Sequence, residues 1–378
     1  MTQQLRTVAL NALFLAPGES GGPETYLRGL AGALAAEFPH VRLVVVTTGS
    51  GKRALQEHGL GDGVDLRALP AEEHNRARRQ FSEQVLLPLT ARAVGADVIH
   101  SLASTGPGWT PGLTSVVTLH DVTFLRLRTF GRVTTWGMRR VVSWAARDAD
   151  ALISGSAAAR DEICSELRLK PSSFTVVPHG IDPAASASPA AAEEVRTMLG
   201  VGNRRLVLCV AAVRPHKNQE LLVRAATALP DDVTVVMVGH QEPYAEAVRR
   251  LVGELGVEQR VHLAGYLPAD KLEGLWATAH CAAFPSLAEG FGLPVVEAMS
   301  RGVPVACSDI PVLREVGGGV PLFFNPRDPA AAAAAVTAAL DDPSIGARGL
   351  KRAGQFSWIK AAHATMEVYE RALAATRP

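Results

Sequence analysis

Glu289 and Glu297 bracket the segment Glu289-Gly290-Phe291-Gly292-Leu293-Pro294-Val295-Val296-Glu297, where two glycines and a proline open an apolar helix. A helix mouth of this kind exposes a row of backbone N–H groups that favour an anionic or oxygen-rich partner. The two carboxylates offer only acceptors, and each can take hydrogen bonds from a pair of hydroxyls. Together they suit a ligand that is both polyhydroxylated and phosphate-bearing, which describes a nucleotide sugar. Arg214-Pro215-His216-Lys217-Asn218 supplies the opposite charge. It follows an apolar run, Leu206 to Val210, so Arg214 and Lys217 come within reach of one pyrophosphate that they could neutralise without a metal. The competing reading is a solvated cationic loop.

Three further segments carry weaker signals. Gly18-Glu19-Ser20-Gly21-Gly22-Pro23 lies between an apolar run and the amphipathic pattern Tyr26, Leu27, Leu30, Leu34. Glycines at a strand-to-helix turn let the backbone approach a phosphate, although the spacing fits neither Gly-x-Gly-x-x-Gly nor a Walker loop, and a plain tight turn explains it equally. His120-Asp121 ends the run Ser115 to Leu119, at the carboxyl edge where doubly wound sheets bind ligands. Either His120 faces that ligand and donates a hydrogen bond to it, or Asp121 caps the next turn and His120 is a satisfied imidazole. Gly265-Tyr266-Leu267 could lay backbone beside a nucleobase or be a simple turn. The arginines at 76, 78 and 79, and at 126, 128 and 132, read as solvated faces or as an anionic-acceptor site.

The elements that must position these groups are βα units. Short β-branched runs alternate with helical patterns in two series: Val8 to Leu15, Val41 to Thr47, Asp97 to His100, Ser115 to Leu119, Ala151 to Ser154 and Phe174 to Val177, then Leu206 to Val210, Val233 to Val238, Val261 to Leu263, Cys281 to Phe284 and Val303 to Cys307. This alternation predicts two doubly wound parallel sheets. The Ala/Ser/Pro-rich stretch from Asp182 to Ala192 reads as the linker. Domains are therefore expected at 1–182 and 183–356. The helical stripe from Ser357 to Ala374 has no strand after it, so 357–378 is expected to return to the first domain.

Composition narrows the function further. At 378 residues two domains are expected, and 38 basic against 37 acidic residues argue against bulk nucleic-acid binding. Four scattered cysteines without a Cys-x-x-Cys pair read as small core residues in a reducing cytoplasm. No apolar run approaches the roughly 18 residues of a membrane span, which leaves peripheral membrane contact open. Oligomeric state is not legible.

Taken in order, these segments resemble the retaining glycosyltransferases of family 4. Ser286-Leu287-Ala288-Glu289-Gly290-Phe291-Gly292-Leu293-Pro294-Val295-Val296-Glu297-Ala298-Met299 looks like that family's donor-site signature. Gly21-Gly22, Thr118-Leu119-His120-Asp121, Val177-Pro178-His179-Gly180-Ile181-Asp182 and Ser308-Asp309-Ile310-Pro311 support it. The resemblance implies a GT-B architecture of two Rossmann-like domains facing across a cleft, and no metal or other cofactor. It implies that Glu289 holds the donor sugar with the amides of Phe291, Gly292 and Leu293 nearby and that Glu297 binds the ribose; Gly290, Tyr266 and Leu267 are counted with the donor-binding residues. Gly21 and Gly22 would hold the diphosphate with Arg214 and Lys217, and His120 would line the sugar pocket. One departure is Ala212, where many members have arginine; it leaves Lys217 the lead phosphate ligand, ahead of Arg214.

The resemblance further implies transfer of a hexosyl group with retention, mannosyl from GDP-mannose favoured and UDP-sugars next. The acceptor would be a glycan, a lipid-linked saccharide or a small molecule, as in surface polysaccharide synthesis. Lys217 and Glu289 then carry the reaction, with His120 beside the sugar. An epimerase or phosphorylase of the same fold, and a nucleotide-sugar-binding protein without turnover, are the alternatives.

Overall fold

The computed structural model describes residues 5–17, 20–57, 59–60, 63–71, 75–126, 132–182 and 189–376. Gly18, Glu19, Arg128, most of the expected linker and the side chains of Arg76 and Arg132 lie outside the described residues. The chain divides into two compact units, residues 1–182 with 357–378, and residues 183–356.

The first unit holds a parallel sheet of seven strands: β1 (Thr7–Ala12), β2 (Arg42–Thr47), β3 (Val64–Ala68), β4 (Val98–Ser101), β5 (Thr114–Thr118), β6 (Ala151–Ser154) and β7 (Phe174–Val176). Their spatial order is β3-β2-β1-β4-β5-β6-β7. The second unit repeats the plan with β8 (Arg205–Val210), β9 (Val233–Val238), β10 (Val261–Gly265), β11 (Ala279–Phe284), β12 (Val305–Ser308) and β13 (Leu322–Phe324), ordered β10-β9-β8-β11-β12-β13. Helices cover both faces of such sheets, so the central strands read as unbroken apolar runs; all six residues of β1 and of β9 are buried.

Two strands, β3 and β13, are absent from the sequence-based reading, and both are sheet edges. β3 has no buried residue, and Asp65 on it pairs with Arg42 at 2.7 Å and Arg67 at 2.9 Å. Charges of this kind blunt an edge against further pairing, and they also erase the apolar pattern that marks a strand.

The helix Trp358–Thr376 shares a core with the helix Gly22–Glu37: Trp358, Met366, Val368, Tyr369 and Leu373 pack with Tyr26, Leu27, Leu30 and Leu34. Close approach explains two glycines. A Cβ on Gly29 would sit 2.0 Å from the Trp358 indole, and one on Gly180 would sit 2.1 Å from the Trp358 backbone nitrogen. In the second unit Val207, Leu222, Val235, Met237, Val248 and Phe324 build an equivalent core. Cys209 and Cys281 belong to it, and burial pushes both thiols up to about 12, so neither is a thiolate at neutral pH. All four cysteines are free and buried.

Candidate active site

In each sheet the strand order reverses once, between β1 and β4 and between β8 and β11. The loops leaving the carboxyl ends of those strands diverge and leave a crevice, where doubly wound folds take their ligands. In the second unit these loops are 211–218 and 285–292, the two segments that the sequence marks as cationic and acidic.

The chain stitches them together. Pro215–Lys217 forms a 3₁₀ turn that ends on Asn218 in a left-handed conformation, φ 56°. Asn218 Nδ2 donates to the carbonyls of Pro285 at 3.0 Å and Pro326 at 2.9 Å, and the Leu287 amide donates to the His216 carbonyl at 2.8 Å. This frame puts Lys217 Nζ 2.7 Å and 2.9 Å from the two carboxylate oxygens of Glu289. Ser286 Oγ donates to the same carboxylate at 2.6 Å. The pair is sheltered, with side-chain exposures of 17% for Lys217 and 12% for Glu289.

Gly292 follows at φ +89°, and a Cβ there would meet Leu313 at 2.5 Å, so both backbone and space require glycine. It opens the helix Leu293–Ser300, whose first turn carries Pro294 and whose N-cap makes no side-chain hydrogen bond. Phe291 and Leu293 are buried, Phe291 with its ring edge-on to Phe356. Gly290 lies in the loop before them, and Glu297 is half-buried one turn into the helix.

Arg214 Nε donates to Glu242 at 2.6 Å, on the loop after β9. Each of the two cations thus has a carboxylate partner of its own. Tyr266 is exposed and Leu267 buried after β10, which ends on Gly265 at φ +73°.

In the first unit Gly21 takes φ +54° and ψ −128° at the mouth of the helix that Gly22 begins. Nothing lies within 4 Å of a Cβ at Gly21, so the dihedral alone favours glycine. The His120 imidazole is hydrogen-bonded within the first unit. Its Nε2 is 2.7 Å from the Leu102 carbonyl, which requires Nε2–H to donate, and its Nδ1 lies 3.3 Å from His179 Nε2. Burial holds the imidazole below its ordinary pKa, against the Leu102 bond and the Asp121 charge. The neutral ring therefore has no N–H left for a ligand. Asp121 caps the following turn, accepting from the Thr123 amide at 2.8 Å.

Other groups at this edge are missing from the sequence reading. His100 on β4 bonds Tyr369 Oη at 2.6 Å and Thr118 Oγ1 at 2.8 Å, and burial lowers its pKa to about 3. Glu83 lies in the π-helical turn Ser82–Leu86 and is 6% exposed. Its Oε1 accepts from Asn11 Nδ2 on β1 and from Thr105 Oγ1 after β4, both at 2.9 Å, so a buried acid bridges the first unit's switch point. Burial raises its pKa, opposed by those two bonds and by Arg79. The available signal was a single acid with Phe81, Val85, Leu86 and Leu87 around it in the sequence.

The two sequence halves match separate family models: residues 20–185 that of Glycosyltransferase Family 4, and residues 193–355 that of Glycosyl transferases group 1. The chain belongs to this glycosyltransferase family. O-antigen chain mannosyltransferase B of Escherichia coli is 35% identical over 171 residues, 43% of this chain and 45% of that protein. The MMP alpha-(1->4)-mannosyltransferase of Mycolicibacterium hassiacum is 29% identical, covering 78% of this chain and 75% of its own. D-inositol 3-phosphate glycosyltransferase of Kineococcus radiotolerans is 28% identical over 98% and 97%. Among solved structures, Anabaena HepE in complex with UDP and glucose superposes with a TM-score of 0.76 at 22% identity, covering 97% of this chain and 99% of that one. Sucrose-phosphate synthase from Thermosynechococcus elongatus gives 0.80 at 22%, covering 98% and 100%. These structures fix the architecture of the glycosyltransferase as GT-B.

Proposed function

We propose that this glycosyltransferase moves a hexosyl group, mannosyl first among candidates, from a nucleoside diphosphate sugar to an acceptor hydroxyl with retention of anomeric configuration. The sheltered Lys217–Glu289 pair at the second unit's switch point carries the reading. It offers a cation for a diphosphate and a carboxylate for sugar hydroxyls within one bonded unit. The mannosyltransferases among the relatives favour GDP-mannose, and the UDP and glucose held by HepE keep UDP-sugars next. The acceptor is proposed to be a glycan or a lipid-linked saccharide, and the free, buried cysteines accord with a reducing cytoplasm.

In the step we envisage, the bond from the anomeric carbon to the diphosphate oxygen breaks while one forms to the acceptor oxygen on the same face. The acceptor proton passes to the departing phosphate. The chain's task is then to stabilise charge growing on the leaving group, which falls to Lys217 and to the mouth of the helix Leu293–Ser300, without a metal ion. Glu289 holds hydroxyls rather than attacking carbon, and Glu297 is assigned to the ribose.

The test is release of nucleoside diphosphate from GDP-mannose, UDP-glucose and related donors, with the product's anomeric configuration read by NMR. Failure of every donor to yield nucleotide with any acceptor would overturn the reading. A stoichiometric glycosyl adduct on Glu289, found by mass spectrometry, would replace same-face attack by a covalent route.

A further inference from the structure

The chain's charges nearly cancel, 38 basic against 37 acidic, but the first unit sorts them. Residues 75–112 and 132–147 contain eight arginines and only two acids, Glu83 and Asp97, both buried. Arg92 and Arg147 donate to the carbonyls of Pro111 and Leu167, Arg139 to that of Glu166, and Arg140 lies 5.0 Å over the Trp136 ring. These are backbone and ring partners, so the positive charge stays. Acids resume at Asp148, which ends the helix Arg132–Asp148, and at Asp150, whose carboxylate accepts from the Ser115 amide at 2.8 Å; on the helix Ala157–Leu167, Glu162 already pairs with Arg126.

The same two segments expose six large apolar side chains. Phe81, Val85 and Leu89 recur at four-residue spacing along the continuous helical run from Arg76 to Ala93. Trp109 is 72% exposed and Trp136 62%, with Trp144 beside them on the helix Arg132–Asp148. Contacts join the two segments. Gln84 bonds the Gly106 carbonyl at 2.8 Å and the Gly108 amide at 2.9 Å, and Gly108 is so close to Trp144 that a Cβ would sit 2.3 Å from its indole.

We propose that this face seats the protein on an anionic lipid surface. Tryptophan places an apolar ring and a polar N–H at the headgroup level, and arginine meets lipid phosphates there. Phe81, Val85 and Leu89 decide against a polyanion free in water, since a polyanion would cover none of their apolar area while a bilayer interface buries it. Among the described residues no helix is long and apolar enough to cross a membrane, so attachment is to one leaflet. The inference does not rest on the transfer reaction.

Centrifugation of the full chain with vesicles tests it, using phosphatidylcholine alone and phosphatidylcholine mixed with phosphatidylglycerol. Binding to the mixed vesicles only is expected. The paired changes Arg139→Glu with Arg140→Glu should weaken it at least tenfold, roughly fivefold for each arginine lost. Trp109→Ser with Trp136→Ser should weaken it comparably, with an unchanged melting point in either variant. A readout free of folding effects uses the unaltered chain. Of its five tryptophans, Trp276 and Trp358 are buried, so vesicles of brominated lipid should quench the three on this face. No sedimentation with anionic vesicles, absence of quenching, or wild-type binding by both variants would each overturn the proposal. So would retention of the chain by a single-stranded oligonucleotide but not by vesicles.

Discussion

Lys217 and Glu289 are each other's hydrogen-bond partner, which makes fold and function separable by a double-mutant cycle. The pair is charge-assisted and bidentate, so its coupling should be about 1.5–3 kcal/mol. Lys217→Met alone leaves a carboxylate that is 12% exposed with Ser286 as its remaining side-chain donor among the described residues, and Glu289→Gln alone leaves an ammonium that is 17% exposed beside a neutral amide. Each single change is expected to cost about 2 kcal/mol, below the range for fully buried pairs because both groups keep some water. In a unit the size of residues 183–356 that is about 4–8 °C of melting temperature. The double variant removes both charges and should lose about 1–2.5 kcal/mol, well short of the roughly 4 kcal/mol sum of the single losses. Melting and urea curves followed by circular dichroism, without nucleotide sugar, measure this. Donor turnover should behave differently: both single variants and the double variant should fall by orders of magnitude, because restoring charge balance does not restore the ligands. Stability effects that add within about 0.5 kcal/mol would refute the coupling, and a double variant that regains turnover would refute the assignment of the pair to the donor.

Three further outcomes follow from the first unit. Gly180→Ala places a methyl 2.1 Å from the Trp358 backbone, so the helix Trp358–Thr376 must shift; about 3 kcal/mol of lost stability is expected in thermal unfolding, and an unchanged melting point would mean that the contact is not rigid. Glu83 has a folded pKa above its ordinary 4.5, so its contribution is full below that pH and is lost as pH rises through the elevated value. Glu83→Gln keeps an acceptor for Asn11 and Thr105 and should flatten this decline; superimposable melting-against-pH curves for variant and wild type would contradict it. His100 runs the other way, since its pKa falls from 6.5 to about 3 and the unfolded chain takes up the proton first. Its share of stability is present above pH 6.5 and lost on acidification towards 3, so His100→Gln should lessen the acid sensitivity of melting between those values.

The loops after β8 and β11 were legible because they are written locally. Gly292 is fixed by its own dihedral, Pro294 opens a helix, and Leu206 to Val210 and Cys281 to Phe284 are unbroken apolar runs within β8 and β11, so spacing alone put Lys217 and Glu289 in the loops after strands. Which cation meets which acid was not legible. The sequence placed Arg214 beside Lys217, but the strand order sends Arg214 to Glu242 after β9 and Lys217 to Glu289 after β11.

The first unit divides the same way. Its alternating runs and the stripe of its last helix could be read off, because burial on both faces of a parallel sheet demands apolar residues whatever the neighbours are. The edge strands could not, since an edge is defined by the partner it lacks. Nor could the roles of His100, His120 and Glu83, each of which depends on groups distant in the chain: Tyr369 for His100, His179 for His120, and Asn11 and Thr105 for Glu83. Periodicity records how a segment meets an apolar interior, whereas a hydrogen bond between distant residues exists only once the sheet order has brought them together.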